Sequence, residues 1–132
     1  MERVAELSTE YDIPVHMHLL ETAWEIQQSL EQYGKRPLRR LEKLGMLNRR
    51  LVAVHMTQID GDDIARFADS GASIVHCPQS NLKLASGFCP VARLAGAGVN
   101  VAVGTDGAAA NNDLDMLDEI QTAAWLAKGV AG

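Results

Sequence analysis

The sequence predicts an α/β protein built from four consecutive strand–helix units of the kind that form a (β/α)8 TIM-type barrel. Apolar runs alternate with segments of helical periodicity, and the runs begin near residues 13, 51, 73 and 99. This spacing leaves room for a crossover helix between parallel strands. In addition, a histidine or a carboxylate stands at or just after the end of each run, the position that carries chemistry in parallel barrels.

Size and composition limit the classes of protein that the chain can represent. Its 132 residues, 47% hydrophobic, suffice for one modest domain, residues 1–132, with a single core. A net charge of −5 without a basic stripe argues against nucleic acid as a partner. No apolar run approaches the ~20 residues of a membrane helix, and the first residues do not resemble a signal peptide. Cys77 and Cys89 form no CxxC pair, which predicts free thiols and a cytoplasmic location.

The first part of the chain is predicted to form a helix, a strand and two further helices: residues 1–11, 13–19, 22–33 and 38–44. Thr22 can cap the second helix, because Glu25 stands three residues later in capping-box spacing. Gly34 closes that helix, and Pro37 opens the next one.

The second part continues the alternation of strands and helices. Strands are predicted at 51–56, 72–77 and 99–103, helices at 60–70, 91–97 and 114–128, a loop at 79–89 and a turn at 104–112. The run from Leu51 to Met56 is almost continuously apolar, as in a parallel sheet that is covered on both sides. Pro78 stops the third strand, and Pro90 opens a helix that Gly98 terminates.

Four such units could form an open doubly wound sheet or half of an eight-stranded barrel. The polar residues favour the barrel, because a barrel brings the carboxyl ends of its strands to one centre. The residues at those ends are His18, Glu21, His55, His76 and Asp106. His16 and His18 lie two apart on one strand and therefore share a face.

Several short motifs together resemble a known family. They are His18-x-x-Glu21, Val54-His55-Met56, the segment from His76-Cys77-Pro78 to Leu84, and Gly104-Thr105-Asp106-Gly107-Ala108. In this order they resemble the amidohydrolase superfamily, and more narrowly the branch of methylthioadenosine/S-adenosylhomocysteine deaminases and triazine chlorohydrolases. The resemblance covers essentially the whole chain and implies strands five to eight of that family's barrel, without its first half.

The resemblance implies one divalent metal, usually zinc, with iron or manganese as alternatives. His18 then matches the fifth-strand metal ligand and Asp106 the eighth-strand ligand. His55 matches the histidine beside the metal-bound water, and Glu21 the carboxylate that meets the substrate's ring nitrogen. The catalytic residues are thus Glu21, His55 and Asp106, and the substrate-binding residues Glu21 and Asp106. His16 is not taken as part of the family's first-strand HxH pair, because Asp106 follows three strands later rather than seven.

The activity that this resemblance implies is hydrolytic deamination of a 6-aminopurine nucleoside, such as methylthioadenosine, S-adenosylhomocysteine or adenosine. The chemistry is physically reasonable, since a metal lowers the pKa of water towards ~7 and carboxylates and neutral imidazoles move protons. Alternatives are a guanine deaminase or a triazine hydrolase of the same superfamily, a non-catalytic half-barrel module, and an open-sheet binding domain.

The remaining polar residues have less defined roles. His76 could line the floor of the site or be structural. Ser80, Asn81 and Lys83 are expected to cap the next helix or to pack, rather than to form the pocket rim, and residues 111–113 to form a turn and an N-cap. Finally, half a barrel exposes two sheet edges, which predicts low stability or a homo-oligomer.

Overall fold

Four parallel strands form one sheet in the computed structural model, which describes residues 1–131. The strands are β1 (Val15–Leu19), β2 (Leu51–His55), β3 (Ser73–His76) and β4 (Asn100–Val103), and they lie in chain order. The helices are α1 (Glu2–Glu10), α2 (Ala23–Tyr33), α3 (Pro37–Lys43), α4 (Gly61–Ser70), α5 (Pro78–Lys83), α6 (Val91–Gly96) and α7 (Met116–Ala131).

The two faces of the sheet have different environments. One face carries Leu19, Leu51, Ala53 and Ile74, which are buried in the hydrophobic core together with side chains of α3, α4 and α6. The other face carries His16 and His18 of β1, which register with Val52 and Val54 of β2, and both histidines are exposed. We call these the covered face and the open face.

Helices cover only one face of the sheet, and this distinguishes half of a barrel from an open doubly wound sheet. Strands in sequential order, joined by right-handed crossovers, place every connecting helix on the same face. A doubly wound sheet instead reverses its strand order and covers both faces. The observed parallel α/β sheet therefore has the one-sided covering of a barrel wall, as the polar residues predicted.

Local signals set the helix ends much as predicted. The Thr22 hydroxyl accepts a hydrogen bond from the Glu25 N–H, which caps α2, and Asp60 caps α4 in the same way through the Asp63 N–H. Gly34 follows α2 and Gly71 follows α4 with φ of 64° and 70°, the left-handed conformation that glycine adopts without penalty.

Two predicted boundaries were wrong. The loop predicted at 79–89 contains α5, because Pro78 both stops β3 and occupies the first position of a helix, where its missing N–H costs nothing. The last helix begins at Met116 rather than at Leu114, since Asp115 accepts from the Leu117 N–H. None of the helices in the described part of the chain has the length and apolarity to span a bilayer.

A largely buried ion pair joins Arg36, the residue before α3, to the first turn of α4. Arg36 Nη2 lies 2.6 Å from Asp63 Oδ2, and only 1% of the Asp63 side chain is exposed. The same guanidinium donates to the Gln58 carbonyl at 2.7 Å. Arg36 therefore neutralises a carboxylate that would otherwise be buried without a counter-charge.

We predict that Arg36→Met lowers the free energy of unfolding by about 3 kcal/mol, because removing one partner strands the buried charge of Asp63. Urea denaturation measures this change. Arg3→Met, which breaks the exposed Arg3–Glu6 pair, is the control and should cost less than about 1 kcal/mol. Equal losses of unfolding free energy in the two variants would show that the Arg36–Asp63 pair stabilises the fold no more than an exposed ion pair does.

Candidate active site

The side chains that the sequence singled out meet at the carboxyl end of the sheet. His18 lies between two carboxylates, with Nδ1 at 3.8 Å from Glu21 Oε2 and Nε2 at 3.8 Å from Asp106 Oδ1. His55 Nε2 lies 3.6 Å from Glu21 Oε2 and 3.9 Å from Asp106 Oδ2. The two imidazoles contact edge to face, with centroids 4.6 Å apart. The structure thus brings together all four residues proposed to act in catalysis or metal binding.

His55 reaches this cluster through an unusual backbone conformation. Alternation along β2 places it on the covered face, with Leu51 and Ala53, and its side chain is fully buried. However, φ is 79° at His55 and 54° at Met56, in the left-handed region that non-glycine residues rarely occupy. Asp106, with φ of 62°, leaves the end of β4 in the same region. Strained backbone of this kind is concentrated at functional sites.

Glu21 is held by a set of hydrogen bonds at the end of β1. The Glu25 carboxylate accepts from the Glu21 N–H at 2.9 Å and from the Leu20 N–H at 3.0 Å. The Thr57 hydroxyl donates to the Glu21 carbonyl at 2.5 Å, and the Ser86 hydroxyl lies 3.4 Å from Glu21 Oε1. The residue is therefore fixed on both sides by neighbours from α2 and from the loops after β2 and α5.

The surroundings of Asp106 favour its ionised form. Burial opposes ionisation, but the Ser80 hydroxyl, the Gly107 N–H and the imidazoles of His55 and His18 outweigh it and lower the pKa of the carboxyl. The Ser80 hydroxyl donates to Asp106 Oδ2 at 2.6 Å. Asp106 is consequently available as an anionic ligand or proton acceptor.

The hydrogen bond of His55 determines which ring nitrogen faces the cluster. His55 Nδ1 lies 2.9 Å from Asn81 Oδ1, and a carbonyl oxygen can only accept. With this amide orientation Nδ1 carries a proton, and in the neutral imidazole Nε2 then carries the lone pair. Among residues 1–131, Nε2 is buried and has no hydrogen-bond partner.

The expectation for residues 80, 81 and 83 needs correction. Ser80 and Asn81 do not cap the next helix, because α6 follows Pro90 and has no side-chain cap. They contact Asp106 and His55 instead. Lys83 does pack, as expected, by donating to the Ala109 carbonyl and to Asn112 Oδ1. The sequence offered no local signal for the first two contacts, since each partner lies 26 residues away.

The polar residues before α7 also differ from expectation. Asn111 does not cap the helix. Its amide donates to Glu119 Oε2 at 2.6 Å, and its Oδ1 accepts from the Leu114 N–H, which forms a turn. The cap is Asp115, two residues beyond the predicted segment.

The other two histidines lie outside the cluster. His16 is exposed on the open face, two residues before His18 and therefore further from the carboxyl end of β1. His76 is 2% exposed and lines a cavity of 420 Å³ between α6 and α7, with Val91, Leu126 and Val130 among its neighbours. Burial lowers the pKa of His76 to about 4, with a further contribution from His55. These surroundings favour a structural role for His76 over a position on the floor of the site.

Both cysteines are free and buried, as the absence of a CxxC pair predicted. Burial raises the pKa of the Cys77 thiol to about 12, and the charge of Asp106 adds to this effect. Burial raises the pKa of Cys89 to about 12 as well. Protonated thiols are poor nucleophiles and poor metal ligands, so neither cysteine takes part in the site.

The donor set fits a divalent metal ion. One ligand atom from each of His18, Glu21 and His55 can be chosen so that all lie within 4.8 Å of one another. Asp106 adds a carboxylate at 3.8 Å from His18. Nitrogen and oxygen donors of this kind suit zinc, and the unpartnered lone pair of His55 Nε2 faces the same space.

Comparison with known proteins places this arrangement in a family. The model of the amidohydrolase family matches residues 1–132, the whole chain. The chain belongs to the amidohydrolase family. This agrees with the motifs at His18, His55 and Asp106.

Three relatives of this amidohydrolase chain illustrate the similarity. A 5-methylthioadenosine/S-adenosylhomocysteine deaminase of Teredinibacter turnerae is 55% identical over 132 residues, which are 100% of this chain and 30% of that protein. The crystal structure of an adenosine deaminase from Xanthomonas campestris with bound zinc matches with a TM-score of 0.96 and 59% identity, over 98% of this chain and 30% of that one. Atrazine chlorohydrolase TrzN from Arthrobacter aurescens, complexed with zinc, matches with a TM-score of 0.89 and 32% identity, over 93% of this chain and 27% of that one.

The amidohydrolase chain therefore spans less than a third of the length of these relatives. What it contributes within that length is a strand-end cluster of histidines and carboxylates on a parallel sheet.

We predict that His76 makes this amidohydrolase less stable as the pH falls. The folded state keeps the imidazole neutral down to about pH 4, whereas the unfolded state takes up a proton near the ordinary pKa of 6.5. Below pH 6.5 the unfolded state binds more protons than the folded state. The stability that the neutral His76 contributes is therefore fully present above pH 6.5 and is lost as the pH falls towards 4. This loss amounts to up to about 3 kcal/mol.

Urea denaturation at neutral pH and near pH 4 tests the His76 prediction. His76→Phe should reduce the loss of stability between the two conditions, because phenylalanine does not titrate. His16→Phe, at an exposed imidazole on the open face, is the matched control for the substitution itself. The same loss in wild type and in His76→Phe would contradict the prediction.

Proposed function

We propose that this chain carries the fifth-to-eighth-strand part of a zinc aminohydrolase that deaminates a 6-aminopurine nucleoside. The observation that carries the proposal is the convergence of His18, Glu21, His55 and Asp106 at one end of the sheet. The deaminases among the similar proteins, and the zinc bound to the adenosine deaminase from Xanthomonas campestris, support the same choice of reaction and metal. The substrates we favour are methylthioadenosine, S-adenosylhomocysteine and adenosine.

We assign residues 1–132 to one part of a (β/α)8 barrel whose first four strands lie outside the chain. Three features support the assignment. The helices cover a single face, and the open face carries the exposed imidazole of His18 at the site. The matched length, 30% of the Teredinibacter turnerae protein, is what four of eight units in a longer enzyme require.

His18 and Asp106 are the residues that would hold the metal in this chain. Two protein ligands are fewer than the three or four of a catalytic zinc site, so further ligands must come from elsewhere in the enzyme. When bound, the ion supplies a Lewis acid that lowers the pKa of water towards ~7.

The remaining residues handle protons. Asp106, kept ionised by its neighbours, accepts a proton from the attacking water. His55 Nε2 takes up that proton through its lone pair and passes it to the leaving amine. Glu21, in its protonated form, delivers a proton to the ring nitrogen, which makes the adjacent carbon electrophilic, and it recovers a proton from the hydroxyl that the water leaves on that carbon. Water adds to that carbon, the carbon–nitrogen bond breaks, and ammonia leaves with an inosine-type product.

A second candidate is hydrolysis of another ring with the same residues. The match to atrazine chlorohydrolase TrzN, with a TM-score of 0.89, favours keeping it. Water would then replace a chloride on a triazine, or the amino group of guanine. A panel of methylthioadenosine, adenosine, guanine and chlorotriazines, followed by release of ammonia or chloride, distinguishes these reactions.

We predict that a hybrid enzyme containing this chain turns over methylthioadenosine. In this hybrid, residues 1–132 replace the matching 132 residues of the Teredinibacter turnerae deaminase. Because the chain supplies His18, Glu21, His55 and Asp106, the hybrid should release ammonia from methylthioadenosine. The isolated chain should release none. Ammonia release by the isolated chain would contradict the assignment to half a barrel.

Substitutions in the hybrid separate the roles of the two carboxylates. Asp106→Asn should abolish turnover and weaken zinc binding, because it removes a ligand charge and a proton acceptor. Glu21→Gln should keep the zinc but lower kcat by about 100-fold, since only proton delivery is lost. Zinc loss in Glu21→Gln, or wild-type activity in Asp106→Asn, would overturn the assignment. Glu6→Gln, on an exposed part of α1, is the control.

We further propose a cytoplasmic location and a small-molecule rather than a nucleic-acid partner. The buried free thiols and the net charge of −5 support these two assignments.

We predict that the isolated 132-residue chain self-associates, because its sheet edges and open face offer unpaired backbone and uncovered side chains. Size-exclusion chromatography with light scattering measures the mass, and a dimer or larger species is expected. A monomer with a sharp thermal transition would argue against this prediction.

A further inference from the structure

The short helix α5 contacts two of the four site residues through adjacent side chains. Ser80 donates to Asp106 Oδ2 at 2.6 Å, and Asn81 Oδ1 lies 2.9 Å from His55 Nδ1. Both α5 side chains are at most 1% exposed. Successive residues of a helix point about 100° apart, so one turn can reach groups at the ends of two different strands.

We propose that α5 is a positioning helix, in which Asn81 keeps the proton of His55 on Nδ1, Ser80 orients Asp106, and Glu119 of α7 holds the helix in place. The effect on catalysis rests on the proposed function. The effect on His55 itself does not, and it can be measured without turnover.

Asn81 controls His55 through the orientation of its amide. Its Oδ1 faces Nδ1, while its Nδ2 is buried without a hydrogen-bond partner within residues 1–131. An amide turned the other way would donate to Nδ1 and place the proton on Nε2, where it would block the lone pair that faces the cluster. The working state of the site therefore depends on the oxygen of Asn81 and not on its NH₂ group.

Ser80 acts on Asp106 by occupying one of its two oxygens. The hydroxyl takes Oδ2, and Oδ1 then lies nearest to His18, 3.8 Å from its Nε2. A carboxylate that loses this bond can rotate and exchange its oxygens. Ser80 thus sets which oxygen faces which imidazole: Oδ1 lies towards His18, and Oδ2 lies 3.9 Å from His55 Nε2.

Glu119 fixes α5 without touching any of the four site residues. It is fully buried, and its Oε1 accepts from the Gln79 N–H in the first turn of α5 at 3.0 Å. Its Oε2 accepts from Asn111 Nδ2 at 2.6 Å. The Gln79 N–H and the Asn111 amide are both donors, so the side chain between them must offer two acceptor oxygens and no proton. A carboxylate meets this requirement, whereas a glutamine does not, because its NH₂ group would face one of the donors. Glu119 therefore ties α5 to the loop that follows Asp106.

The first experiment records the ¹⁵N NMR signals of His55 in the 132-residue chain at neutral pH. We expect the wild type to show a protonated Nδ1 and an unprotonated Nε2. Asn81→Asp keeps the accepting oxygen and should keep this tautomer. Asn81→Leu removes the acceptor and should give a mixture of both tautomers.

Glu119→Gln extends the NMR test to a residue that does not contact His55. It should also shift the tautomer mixture, because α5 loses one of its anchors. Leu82→Ala is the control, since Leu82 belongs to the same helix but is 47% exposed and has no site contact. It should leave the signals unchanged. Should Glu119→Gln fail to fold, the comparison of Asn81→Asp with Asn81→Leu decides by itself.

The second experiment measures kcat and KM of the same variants in the hybrid enzyme. Asn81→Leu and Ser80→Ala should lower kcat by about 10- to 100-fold with little change in KM, as is typical for partners of site residues. Asn81→Asp should rescue most of the activity, which a merely space-filling role of Asn81 would not predict.

Three results would overturn the positioning role: an Nε2–H tautomer in the wild type, an unchanged tautomer in Asn81→Leu, or loss of the Nδ1–H tautomer in Asn81→Asp. An inactive hybrid with the expected NMR signals would instead count against the proposed function and leave the positioning role standing.

Discussion

The site depends on how the chain leaves its strands. In an extended strand, alternate side chains point to opposite faces, and this rule places His18 on the open face and His55 on the covered face. The two imidazoles nevertheless meet at 4.6 Å, since the backbone at His55 and Met56 turns into the left-handed region. The Thr57 hydroxyl donates to the Glu21 carbonyl and the Gln58 N–H donates to the Leu20 carbonyl, and these bonds join the ends of β1 and β2. The surrounding structure stabilises a conformation that the residues alone would avoid.

The sequence predicted the positions of the site residues better than their supports. The strand-end rule placed His18, His55 and Asp106 together, because periodicity reveals where strands end and parallel strands share one carboxyl edge. It could not find α5, since Pro78 is equally a strand stop and a helix start. The contacts of Asn81 and Glu119 join residues 26 and 40 positions apart, and no local pattern encodes such pairs.

His76 shows the limit of the strand-end rule. Like His55, it ends a strand on the covered face, and the strand-end rule alone does not distinguish the two. The difference lies in the backbone. His55 has a φ of 79°, whereas the φ of His76 is not positive. The side chain of His76 therefore stays on the covered face, where burial lowers its pKa to about 4. Identical residue types at equivalent strand ends thus reach different surroundings, because the backbone turns into the left-handed region at His55 and Met56 and not at His76.

The open face of the sheet affects both the association of the isolated chain and the electrostatics of the candidate site. The surface on which we predict that the isolated chain associates also carries His18 and borders Asp106. A charge introduced at Val54 or Val75 to keep the chain monomeric would enter the electrostatic field that keeps Asp106 ionised. Polar residues introduced at exposed apolar positions of α2 and α7, such as Trp24, Leu117 and Trp125, would change the outer surface instead of the open face.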